Sequence, residues 1–74
     1  MAATIMNMEY VKVDFLTSGQ LEVDDLIQVG DEVVSIVEII SLRDGYTLEI
    51  INDFGEREVI EVEEYQQFDL MMLQ

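Results

Sequence analysis

The feature that most constrains this chain is the alternation of aliphatic and acidic side chains in short segments that end at glycines. Tyr46, Leu48 and Ile50 alternate with Thr47 and Glu49, and Ile60 and Val62 alternate with Glu61 and Glu63. Successive side chains of an extended strand point to opposite faces, so each segment predicts a strand with one oily and one wetted side. Gly19, Gly30, Gly45 and Gly55 lie beside polar residues and between apolar segments, which reads as turns. Asp44-Gly45 is a favoured hairpin pair, and Asn52-Asp53-Phe54-Gly55 reads as a second hairpin with Gly55 in a left-handed bulge position.

The same reading extends along the chain. Residues 1–8 show no clear period and are expected to form a flexible N-terminal arm; residues 9–74 are expected to form the domain. From Glu9, Val11, Val13 and Phe15 fall on one side of a strand, with Tyr10, Lys12 and Asp14 on the other. Thr17 to Gln20 reads as a turn, and Leu21 and Val23 bracket Glu22 in a short extended piece. Asp24 to Asp31 reads as a connector in which the aspartates cap a single helical turn. Glu32 to Leu42 is the most apolar stretch and is rich in Val and Ile at both parities. Such a stretch fits a strand buried on both sides or a long bent strand shared by two sheets. Glu64 to Gln67 reads as a tight corner, after which Phe68, Leu70 and Met72 share one side of a final strand.

Composition narrows the function. The chain has 74 residues, with 17 acidic and three basic side chains and a formal net charge of −14. Nucleic-acid binders gain affinity by replacing counterions with Lys and Arg, so direct DNA or RNA binding is not expected. Anionic membrane surfaces are excluded on the same ground, and the longest apolar run is far too short to span a bilayer. The absence of cysteine fits a cytoplasmic life. Histidine is absent too, so general-base and thiolate chemistry lack their usual groups, and no catalytic residue, cofactor or enzymatic activity is expected. Asp24, Asp25 and Asp31 offer oxygen ligands, but their spacing does not match a calcium loop, and no metal site is assigned.

About five short strands with turns every 8 to 12 residues predict an all-β fold, a small antiparallel barrel whose closure removes exposed edges. The run Leu26-Ile27-Gln28-Val29-Gly30-Asp31-Glu32-Val33-Val34 resembles the start of the second strand of SH3-like small barrels, where a Leu-x-Val-Gly-Asp-x-Val run is common. That resemblance implies an SH3-like barrel over most of the chain. It does not carry nucleic-acid binding with it, because the loops here hold Asp24, Asp25, Asp31, Asp44 and Asp53. In style the chain also resembles the small acidic accessory proteins of tailed bacteriophages, which implies a viral protein acting in the host cytoplasm.

Two surface features point to a protein-binding role. Once each strand gives one side to the core, large apolar residues are left over. Val33, Ile51, Val59, Met71 and Leu73, with Phe54 at a hairpin tip, are the candidate interface with a protein partner, most simply another copy of the chain. Phe54 has a second option, folding back over the end of the barrel. Glu58, Glu61, Glu63 and Glu64 are the candidate acidic surface. They supply an alternative function, mimicry of DNA against a host nucleic-acid-binding protein, if the acids stand in rows. Glu38 and Glu49 are expected to flank one another across a hairpin.

Overall fold

The computed structural model describes residues 9 to 73. The expected arm over residues 1–8 lies outside them. Among the described residues, six strands form one antiparallel sheet: β1 (Tyr10–Thr17), β2 (Leu26–Val29), β3 (Glu32–Ser41), β4 (Gly45–Ile51), β5 (Arg57–Glu63) and β6 (Gln67–Leu73). Their order across the sheet is β1-β6-β2-β3-β4-β5. The all-β expectation holds, with two corrections. There are six strands, not five, and the sheet is not closed, because β1 and β5 are left as its two edges.

The extra strand is β2. Leu26–Val29 had read as part of a connector, but Ile27 opposes Val34 of β3 and Leu70 of β6, both aliphatic. Burial of Ile27 among them overrides the loop-like composition of its flanking aspartates. The expected helical turn is displaced as well. Among the described residues the single helical turn is a 3-10 turn at Ser18–Gln20, and Asp24 takes a left-handed backbone with φ of 77°. Asp tolerates that conformation better than most residues.

The core lies on one side of the sheet. It joins Leu21, Ile27, Val34, Ile36, Leu48, Ile50, Val62 and Phe68, with Leu16, Ile39, Tyr46 and Ile60 packed against them. Fully burying such a side chain contributes about 1.5–3 kcal/mol, so this cluster dominates the favourable side of folding. Phe68 comes from β6 and Val62 from β5, strands that three others separate in the sheet order. One cluster holds both because the sheet curls around it.

Two register shifts set which residues face the core. In β3 the pairing moves from Ile36↔Ile50 to Glu38↔Glu49, leaving Val37 extra. Before this bulge Val34 and Ile36 point inward; after it Ile39 shares the side of Leu48. The two parities of aliphatics in β3 are thus one side, read through a bulge that bends the strand. In β1 the shift falls between Lys12 and Asp14. It overturns the simple alternation there: Leu16 opposes Phe68 on the core side, whereas Val13 and Phe15 are exposed.

The glycines divide by cause. Gly30 and Gly55 have φ of 59° and 77°, the left-handed turn conformation expected of them. Gly45 is not a turn residue. The β3–β4 hairpin is tipped by Arg43 and Asp44, and the Leu42 N–H donates to the Gly45 carbonyl at 2.8 Å. Gly45 begins β4, where a Cβ would stand 2.1 Å from the Val62 carbonyl oxygen.

Candidate functional site

The candidate interface residues are brought together, with one exception. Cross-strand partners share a side of the sheet. The pairings Lys12↔Met71, Met71↔Leu26, Leu26↔Ser35, Ser35↔Ile51 and Ile51↔Arg57 therefore define one row across all six strands. It lies on the side of the sheet away from the core, since Leu26, Ser35 and Ile51 each neighbour an inward residue. Val33, Val59 and Leu73 share this second side by alternation from Ser35, Arg57 and Met71. Val33, Ile51 and Met71 are half-buried by their neighbours, and Val59 is 63% exposed. Leu26 belongs to this row and was missed in the sequence, because its strand was not recognised.

The two ends of the row are neutralised locally. Lys12 Nζ lies 3.1 Å from Asp69, and Arg57 Nη1 lies 3.1 Å from Glu49. Both pairs are exposed and add little to stability. They nonetheless place two of the three basic residues of a strongly acidic chain at the ends of its apolar row. The Lys12 ammonium also sits 5.8 Å from the centre of the Phe15 ring.

Phe54 stands apart from the row. It caps the β4–β5 hairpin and is 84% exposed, so the fold-back over the domain end does not occur. Asn52 organises this tip. Its Oδ1 accepts from the Phe54 and Glu56 N–H groups at 3.0 and 2.9 Å, and its Nδ2 donates to the Glu56 carboxylate at 2.9 Å. Phe54 and Val33 border a shallow recess of about 330 Å³ that Tyr10 also lines. There the Tyr10 hydroxyl donates to Asp53 at 2.7 Å, tying the start of β1 to the hairpin. This bond holds the Tyr10 proton and raises its pKa above the ordinary value, with desolvation and the Asp53 charge adding in the same direction.

The candidate acidic surface does not form one row. Glu61 and Glu63 point to the second side, whereas Glu58 opposes Ile50 and so points to the core side of an edge strand. Glu64 lies in the corner after β5. Glu38 and Glu49 do oppose one another across β3–β4, and the Arg57–Glu49 contact relieves their repulsion. The corner itself is held from behind. Ser18, 1% exposed, donates its hydroxyl to the Glu63 and Glu64 carbonyls, and its N–H donates to the Gln66 carbonyl at 2.8 Å. Buried Ser18 is a second residue whose role the sequence did not signal.

Among the described residues no three carboxylates converge as metal ligands do. Asp25 instead accepts from the Glu22 N–H at 2.8 Å, serving its own loop. No helix among the described residues is long and apolar enough to cross a membrane. Compared with known proteins, the chain matches no family model and no curated protein sequence.

Proposed function

We propose that this chain is a non-enzymatic protein-binding module that assembles with copies of itself through the second side of its sheet. One observation carries the reading. Met71, Leu26 and Ile51 form a cross-sheet row with Val33, Val59 and Leu73 around it, and the charges at both ends of that row are paired off. An apolar row with locally neutral ends suits a second copy, because repulsion between two acidic chains is weakest where carboxylates are absent or paired. Sedimentation velocity at micromolar concentration tests it. The wild-type chain is expected to form a dimer or larger species, and Ile51→Lys with Met71→Lys to give a monomer of unchanged circular dichroism. A wild-type monomer at all concentrations overturns the reading.

The finer likenesses belong to this proposal. The run Leu26 to Val34 spans β2, its glycine turn and the start of β3, which supports the SH3-like comparison, while the open edges depart from it. The likeness to small acidic accessory proteins of tailed phages, and with it a place in the host cytoplasm, rests on composition alone. Mimicry of duplex DNA has weaker support, because strand alternation sends Glu58 away from Glu61 and Glu63.

A further inference from the structure

We propose that the free edge of β5 accepts an extended, Lys- or Arg-bearing segment of a partner protein as a further strand of the sheet. This edge adjoins the apolar row, which ends at Arg57 on β5, but the proposal does not rest on self-assembly there.

The two edges of the sheet are not equivalent. The β1 edge is interrupted by the bulge at Val13. A bulge on an edge breaks the even spacing of its free backbone groups and discourages further pairing. The β5 edge is continuous: its register to β4 runs unbroken from Gly45↔Glu63 to Ile51↔Arg57 over seven residues. Backbone groups along its free side are thus spaced for strand addition, the commonest way an edge recognises a peptide.

Charge selects what can add. Glu58 projects to one side of the edge and Glu61 and Glu63 to the other, so any strand laid beside β5 meets carboxylates on both sides. A second copy of β5, fully overlapped and antiparallel, sets Arg57 against Glu63 but leaves Glu58 opposite Val62 and Glu61 opposite Val59, so two of its three glutamates gain no cation. A basic strand of another protein matches the edge more fully. It places a cation beside each carboxylate while its backbone completes the ladder. The geometry also specifies spacing. Basic residues facing Glu63, Glu61 and Glu58 must be separated by two and then three positions.

A recess supplies the third element. Leu42, Arg43 and Asp44 of the β3–β4 hairpin, with Glu61 and Glu63, border a cavity of about 410 Å³ at the far end of β5. A long basic side chain facing Glu61 or Glu63 lays its methylenes on Leu42 and holds its head group by the carboxylates, as such amphipathic side chains do. Arg43 lines the same recess beside Asp44, so carboxylates still outnumber cations there.

The test uses the whole chain and two capped hexapeptides of identical composition. Lys-Thr-Lys-Val-Thr-Lys matches the required spacing in an antiparallel addition, and Lys-Lys-Lys-Thr-Val-Thr does not. The expected result is slowed amide exchange confined to β5 and affinity about tenfold tighter for the matched peptide. Binding is also expected to be lost in Glu61→Lys with Glu63→Lys, a variant verified as folded by circular dichroism. Equal affinity for the two peptides, shifts spread over every acidic surface, or no protection of β5 amides overturns the proposal.

Discussion

At the scale of single residues, the two kinds of glycine give the sharpest expectations. Gly45→Ala places a methyl 2.1 Å from the Val62 carbonyl, and both belong to paired strands that cannot part without breaking the ladder. Overpacking against backbone costs about 1–3 kcal/mol or more, and chemical denaturation should show the loss. Gly30→Ala meets no atom within 4 Å and bears only the strain of φ 59°, about 1–2 kcal/mol. The order of the two variants is the prediction; a Gly30 variant less stable than the Gly45 variant contradicts this account of Gly45. Tyr10 gives a second test. Its hydroxyl donates to Asp53, which favours the protonated phenol in the folded chain and raises its pKa above 10.0. The resulting stabilisation is fully present below about pH 10 and lost as pH rises through the folded value. Ultraviolet titration of the three tyrosines should show a late component that disappears in Tyr10→Phe and moves earlier in Asp53→Asn. An unchanged curve in Asp53→Asn excludes the Asp53 bond as the cause. The sequence showed these residues only as types. Asp44-Gly45 matched a turn pair, yet the reason for Gly45 is a neighbouring carbonyl that only the fold supplies.

At the scale of elements, β4, β5 and β6 were legible, β1 and β3 were legible in part, and β2 was not. Leu48, Ile50, Val62 and Phe68 face the core as strict alternation requires. Alternation fails where a strand contains an extra residue, because a bulge reverses which parity points inward. In β1 this promoted Leu16 over Phe15; in β3 it made aliphatics of both parities serve one side. β2 was hidden for another reason: a four-residue strand between aspartate-rich turns has too few positions to show a period. The bulge in β3 carries its own prediction. Deleting Val37 sets Ile36 and Ile39 two positions apart, opposite Ile50 and Leu48, so both stay on the core side and only the bend is lost. A cooperative thermal transition is therefore expected to survive the deletion. Val37→Ala keeps the bulge and should retain the transition as well. Loss of cooperativity in the deletion alone shows instead that the bend, not the inward side chains of β3, holds the sheet around its core.

For the whole molecule, an apolar row and a charge of −14 act against one another, and ionic strength decides between them. The row draws copies together by removing aliphatic surface from water, an effect nearly independent of dilute salt. The remaining carboxylates repel over the Debye length, about 30 Å at 0.01 M salt and about 10 Å at 0.1 M. A domain of this size keeps almost all its charge within the first of those distances of a docked neighbour, but only the border of the contact within the second. Self-association should therefore tighten as salt rises from about 0.01 to about 0.3 M, by at least about tenfold in dimer dissociation constant. Strand addition at β5 has the opposite sign, since it draws on attraction between unlike charges and weakens with salt. One titration of sodium chloride, read by sedimentation for self-association and by amide exchange for peptide binding, thus separates the two surfaces. If self-association weakens with salt instead, the copies are joined through charge, and the apolar row is not what holds them together.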